Sequence, residues 1–159
     1  MKEIARIRYA EEAPYWKTSR TAAEDWVEKA KRAIVGAGGR VLTDMVLNVE
    51  GKTTYVIRFA MAIDGQEREY RIDWPVLKSR AGDERAAKVQ AATVLYHAVK
   101  SLLLLAIPYG PRASHLIWEL MPDQKTTVLQ AAAQEFQPLL PPAAKVAGDM
   151  RAEECEVIA

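Results

Sequence analysis

Apolar positions first recur at helical spacing, then alternate, then recur at helical spacing again. Trp26, Ala30, Ala33, Ile34 and Ala37 follow one another at intervals of three and four, opposite Glu24, Glu28, Lys31 and Arg32, and predict an amphipathic helix over residues 22–37. Thr21 followed by Glu24 is a capping-box pattern that is expected to open it, and Gly36, Gly38 and Gly39 close it. The period then drops to two. In residues 41–49, Val41, Thr43, Met45, Leu47 and Val49 share one face, with Asp44 and Asn48 on the other. In 55–63 the apolar face is Tyr55, Ile57, Phe59, Met61 and Ile63, and in 67–74 Tyr70, Ile72 and Trp74 point inward while Glu69, Arg71 and Asp73 point outward. Turns fall at Glu50–Lys52 and at Asp64–Gly65, the latter a pair that tolerates the positive backbone angles of a tight hairpin.

Residues 83–107 are the longest helical and most apolar stretch, free of Gly and Pro. Apolar side chains from Ala91 onward cover most of the circumference, so this helix is expected to be covered on more than one side. Gln90, Thr93, His97 and Lys100 form its polar stripe, expected to meet water or a polar partner. Arg85, Lys88, His97 and Lys100 argue against a membrane span and for a soluble core helix. Pro108, Gly110 and Pro111 force a break; 114–121 is expected to be a fourth strand, and Asp123 to cap a last helix through residue 136. Ile4 to Tyr9 is a candidate edge strand. The expected fold class is α+β: an antiparallel meander of three to four strands with helices on one face, in the order (β)αβββα(β)α. Residues 1–137 form its one domain, and 138–159, rich in Pro, Ala and acids, a flexible or partner-docking tail.

Composition adds little and charge adds more. A chain of 159 residues, half of them apolar, buries a core without a staple, and the lone Cys155 makes no internal disulfide. No secretory leader is expected ahead of Lys2, Glu3, Arg6 and Arg8, and the default location is cytoplasmic. The net charge of +1 gives no global attraction for a polyanion. Its distribution is uneven, because Lys78, Arg80, Arg85, Lys88, Lys100 and Arg112 face only Asp83 and Glu84 in residues 76–113, while 114–159 is acidic. The alternative reading of such runs is a solvated surface.

Candidate chemistry is sparse. The glycines of VGAGGR follow a helix instead of opening one, so they are turn glycines and not a dinucleotide loop. His97 and His115 lack metal-ligand spacing, no phosphate-cradling loop or nucleophile elbow is present, and no catalytic residue, metal or cofactor is expected. Glu69, Arg71, Asp73 and Asp64, on a helix, meander, helix and strand order, resemble the restriction-endonuclease-like nucleases, with Arg71 in the place of a lysine. That resemblance implies a magnesium-dependent nuclease, and surface charge is the competing reading of these residues.

Two further resemblances cover roughly residues 22–110. RAGDERAAKVQAA, with Arg80, Arg85 and Lys88 opening a helix after three strands, resembles double-stranded-RNA-binding domains. The longer run to Pro108-Tyr109-Gly110 is similar in texture to the helix of single-strand annealing proteins of phage and eukaryotic recombination, which implies a homo-oligomer with a strand in a basic groove. Tyr15, Trp16, Lys17 and Arg20 add rings beside cations, suited to stacking on bases, unless Trp16 folds back as a lid on the core. The leading expectation is a non-enzymatic nucleic-acid-binding protein of a mobile element, contacting its ligand through Trp16, Lys17, Arg20, Lys78, Arg80, Arg85 and Lys88. The alternative is an interaction or structural subunit, with the tail docking on a protein partner.

Overall fold

The strand β2 (Lys52–Ile63) places Tyr55, Ile57, Phe59, Met61 and Ile63 on one face, and all five are buried. The structure, a computed structural model, describes residues 7–110, 118–121, 123, 125–128 and 131–132. β1 (Arg40–Val49), β2 and β3 (Gln66–Pro75) form an antiparallel sheet in that spatial order. α1 (Ala23–Gly36) and α2 (Glu84–Tyr109) cover one face, where Ala30, Ile34, Ala91, Ala92, Leu95 and Val99 meet the β2 row together with Tyr70 and Ile72. The fold is therefore α+β, with helix, meander and helix in chain order. Phe59 stacks on its cross-strand partner Tyr70 with ring centroids 5.1 Å apart.

Both hairpins are two-residue turns with left-handed backbone, at Glu50 and Gly51 (φ 50 and 71) and at Asp64 and Gly65 (φ 53 and 75). Such turns match the strand twist, and they lock the register at Val49↔Lys52 and Ile63↔Gln66. After α1 the chain turns sharply at Gly39, whose amide donates to the Ile34 carbonyl at 2.9 Å. A Cβ there would lie 2.6 Å from Ile34 Cγ2, so only glycine fits.

β1 departs from the simple alternation. A bulge between Val41 and Thr43 leaves Val41 opposite Phe59 but Thr43 opposite Arg58. One extra residue reverses every side chain that follows. Thr43, Met45, Leu47 and Val49 therefore lie on the sheet's outer face, and Asp44, Val46 and Asn48 turn to the helix side. Lys31 of α1 meets Asp44 there at 3.0 Å.

The helices also correct three expectations. α1 starts one residue later than the capping box requires: Ala22 is its N-cap with no side-chain cap bond, and Ser19 Oγ instead accepts from the Thr21 amide and from Trp26 Nε1. α2 is capped by Asp83, whose carboxylate accepts from the Ala86 amide at 3.0 Å, and it runs through Pro108 to Tyr109. Its polar stripe does not face water throughout, since Gln90 and Thr93 are only 3% and 2% exposed. The segment before α1 lies over them: Gln90 Nε2 donates to the Pro14 carbonyl at 2.9 Å, and Thr93 Oγ1 donates back to the Val89 carbonyl. The last turns of α2 are the uncovered part, with Leu104, Leu105, Ile107 and Tyr109 exposed. By length and composition alone α2 would cross a membrane, but its residues from Ala87 to Val99 supply seven buried positions to this fold.

Part of the expected fourth strand is present. The Arg71 amide donates to the Trp118 carbonyl and the Leu120 amide to the Glu69 carbonyl, both at 2.8 Å, so Trp118–Leu120 pairs with the outer edge of β3 over Glu69–Arg71. Asp123 accepts from the Lys125 and Thr126 amides and from the Thr126 hydroxyl, capping a turn that folds Thr127 against Leu120. Val128, Ala131 and Ala132 are helical and the Ala131 amide donates to the Thr127 carbonyl at 3.0 Å, so the expected last helix begins after this turn, and its other positions lie outside the described residues. Of the expected edge strand Ile4 to Tyr9, residues 7–9 are described and make no strand, only a single parallel bridge from Tyr9 to Lys78; residues 4–6, His115 and the tail 138–159 lie outside the described residues.

Arg68 Nη1 and Glu119 Oε1 meet at 2.6 Å with side chains 26% and 5% exposed, tying this closing segment to β3. Removing one partner of a buried pair strands the other charge, so Glu119→Ala should cost about 3 kcal/mol in urea unfolding. Arg40→Ala, at the exposed pair with Glu67, should stay within about 0.5 kcal/mol of wild type. Equal losses from the two substitutions would contradict the burial argument.

Candidate nucleic-acid interface

The start of α2 is held by acids that are remote in sequence. Glu11, in a 3-10 turn over Ala10–Glu12, accepts from the Ser79 hydroxyl at 2.6 Å and from the Arg80 and Ala81 amides at 3.1 Å each. Ser79 Oγ in turn accepts from the Asp83 amide, and the Ala10 amide donates to the Lys78 carbonyl at 3.0 Å. The loop carrying Lys78 and Arg80 is thereby fixed to the segment that carries Tyr15, Trp16 and Lys17. The Ser79 hydroxyl first, then the two amides, holds the Glu11 carboxyl down at about 2 against its usual 4.5.

That segment bends over α2 with left-handed backbone at Tyr15 (φ 66) and Lys17 (φ 51). Non-glycine residues adopt this conformation only when neighbours hold it. Tyr15 stacks on His97 with centroids 4.7 Å apart and planes 10° apart, and the Thr18 hydroxyl donates to the Tyr15 carbonyl. His97 lies in an aromatic group with Trp26 and Tyr96. The bend delivers Lys17 Nζ to within 2.8 Å of Asp83. Hydrogen bonds from Lys17 and then from the Ala86 amide hold the Asp83 carboxyl below its usual range.

Of the seven residues singled out, three meet on one surface: Lys17, Arg20 and Arg85 line an open hollow of ≈ 510 Å³ between the starts of α1 and α2, with Asp83 between them. Lys78 and Lys88 line a second hollow of ≈ 340 Å³ on another side of the same helix start, bordered by Glu84. Arg80 is committed elsewhere, with Nη2 at 2.7 Å from Glu12 and its guanidinium 4.5 Å from the Tyr9 ring centre. Trp16 is half-buried with Lys17 Nζ 5.5 Å from its ring centre, and it is not among the residues of the main core. Among the described residues, Arg20, Lys78, Arg85 and Lys88 make no ion pair.

The outer face of the sheet spends its charges on itself. Arg58 bonds Glu69 at 2.7 Å and Arg71 bonds Asp73 at 3.0 Å, while Asp64 sits in a turn. Among the described residues no group of three His, Cys, Asp or Glu side chains is placed to hold a metal ion. Glu11 and Glu12 are the acidic neighbours that pattern reading missed, because Glu11 reaches Ser79 across 68 positions with no periodic signal between them. The near-zero net charge is the one trace of them in the sequence. No protein-family model matches the chain, and neither a curated protein nor a solved structure is significantly similar to it.

Because the Glu11 carboxyl titrates lower in the fold than in the unfolded chain, its contacts add stability above about pH 4.5 that is lost as the pH falls toward 2. Glu11→Gln should therefore lower the Tm near neutrality and show a smaller further drop at about pH 3 than wild type does. Parallel Tm curves for the two proteins would show that the carboxylate is not what holds the Ser79–Ala81 loop.

Proposed function

We propose that the protein binds a nucleic-acid strand at the start of α2 without catalysing a reaction. The observation that carries this reading is the convergence of Lys17, Arg20 and Arg85 on one open hollow, with Lys78 and Lys88 on the adjoining side. Arg20 and Arg85 make no contact ion pair among the described residues, so a phosphate meets them without breaking one, although the Asp83 carboxylate lies in the field of Arg85. Lys17 exchanges Asp83 for phosphate cheaply, since an exposed ion pair is worth about 1 kcal/mol at most. Arg80, paired with Glu12 and resting on Tyr9, contributes least of the seven. Trp16 supplies ring surface beside the cations, which favours a single strand with accessible bases over a closed duplex.

A labelled single-stranded oligonucleotide should gain anisotropy at about 50 mM salt and lose binding steeply as salt rises, because each neutralised phosphate releases counterions. The double substitution Arg20→Ala with Arg85→Ala should lower the slope of log affinity against log salt by about 1.4, two contacts at about 0.7 each. Arg80→Ala should leave the slope nearly unchanged. No anisotropy change at low salt, for either DNA or RNA, removes the reading.

A second reading, an interaction subunit, is favoured by the apolar end of α2, where Ile107 and Tyr109 are 81% and 71% exposed. An assembly seen by light scattering without nucleic acid, and lost on Ile107→Lys or on deletion of residues 138–159, would support it.

A further inference from the structure

We propose that the open edge of β1 pairs with β1 of a second copy of this chain, antiparallel about a two-fold axis at Val46, joining two three-stranded sheets into one of six strands. The inference is independent of the nucleic-acid reading. β1 pairs with β2 on one side only, and among the described residues nothing pairs with its other edge. A ten-residue edge strand exposes a row of backbone donors and acceptors, which proteins ordinarily blunt with Lys, Pro, a bulge or a cover. Here the bulge lies near the start, and residues 43–49 are in regular register with β2, without Pro or Lys. Met45, Val46, Leu47 and Val49 are exposed as well. By contrast the far edge of the same sheet, along β3, is paired by Trp118–Leu120 over Glu69–Arg71.

The direction of the free groups follows from the hairpin. In a two-residue turn the flanking pair, Val49 and Lys52, exchanges both backbone bonds, and the exchange alternates from there. Asn48 and Thr53 are then a non-bonded pair, which agrees with the Thr53 carbonyl accepting from Val76 on the β3 side at 2.8 Å. Asp44, Val46 and Asn48 therefore turn their amides and carbonyls to the open edge. A bonded register must match these residues with one another. Centring on Asp44 would set two carboxylates face to face. Centring on Val46 sets Val46 against its own image, Asp44 against Asn48, and Met45 against Leu47.

That register is complementary in charge and in polarity. Asn48 Oδ1 already accepts from the Thr53 hydroxyl at 2.7 Å, which orients its NH2 as the donor for a facing Asp44. Lys31 bridges Asp44 and Glu28, so the carboxylate arrives neutralised. On the outer face, Met45 and Leu47 of each strand form cross-strand apolar pairs, the unit that stabilises a sheet. The groove between α1 and the strand, ≈ 610 Å³ and floored by Val27, Val46 and Tyr55, is open, so α1 does not obstruct the approach.

Light scattering on the full chain should give twice the 17.7 kDa chain mass at micromolar concentration. Val46→Pro removes an edge donor while sparing the bonds to β2, and Val46→Lys sets two cations face to face on the axis. Each should raise the dissociation constant at least tenfold and return the chain mass, with an unchanged far-ultraviolet spectrum. Should Val46→Pro unfold, Val46→Lys decides alone, because that side chain is exposed. Val46→Thr should leave the dimer intact. A wild-type protein that stays at the mass of one chain at high micromolar concentration overturns the proposal, and so does any assembly that survives Val46→Lys.

Discussion

Burial of the apolar row on β2 is the constraint from which the rest of the structure follows. Tyr55, Ile57, Phe59, Met61 and Ile63 lie on one face of a twelve-residue strand and must lose contact with water on that side. A two-stranded hairpin does not hold such a face alone, so a third strand and a helical layer are required. β3 adds Tyr70 and Ile72 to the row, and α1 and α2 close it with mostly small side chains, Ala30, Ala91 and Ala92, that let the helices come close. The central strand is therefore satisfied on both edges and on its inner face. The outer strands are not equivalent, because Trp118–Leu120 pairs with β3 at Glu69–Arg71, whereas among the described residues nothing pairs with the outer edge of β1.

Charge is handled by local neutralisation. Lys17 is met by Asp83, Lys31 by Asp44 and Glu28, Arg40 by Glu67, Arg58 by Glu69, Arg68 by Glu119, Arg71 by Asp73 and Arg80 by Glu12. A net charge of +1 thus hides an uneven surface, on which eight of the seventeen Lys and Arg side chains among the described residues lie in ion pairs, Arg32 on Glu28 included, and attraction for a polyanion rests with the others. The start of α2 gathers some of these. Its single capping acid, Asp83, must serve the Ala86 amide and Lys17 together, so Arg20 and Arg85 in the same hollow are left to other partners.

The fold was legible in the sequence wherever one local rule governed an element. The period-two rows of β2 and β3, the Asp64-Gly65 turn and the stripe of α1 are all where pattern reading places them. Reading failed where two rules competed. In β1, alternation alone puts Asp44 and Met45 on the wrong faces, because the bulge at residue 42 carries no signature in Val41-Leu42-Thr43. On α2, Gln90 and Thr93 look solvent-facing until the Pro14 carbonyl and the neighbouring chain segment are placed over them, a contact made 76 positions away. Thr21 satisfies the capping-box spacing, yet Ser19 takes its amide, and the helix begins one residue on. In the candidate site, Lys17, Arg20 and Arg85 line one hollow, a grouping that no local pattern predicts because two helix starts bring it together. The pairings that restrain Arg80 and Lys17 were not legible, since nothing local links Glu12 to Arg80 or Asp83 to Lys17.

The bulge connects the fold to its surface. By reversing the faces of residues 43–49 it takes Met45, Leu47 and Val49 off the helix side, where only a narrow strip beside α1 remained to be covered, and puts Asp44 within reach of Lys31. The cost is an apolar outer row next to an unpaired edge. Pairing two such edges about an axis normal to the sheet leaves both helical layers on one side, because that rotation exchanges the strands without turning the sheet over. Two starts of α2, each with its own group of cations, then belong to one assembly. A ligand held weakly by a few phosphate contacts at each gains from being held twice, provided that it spans both. A strand of nucleic acid, repetitive in charge and flexible in length, meets that condition more readily than a compact ligand does.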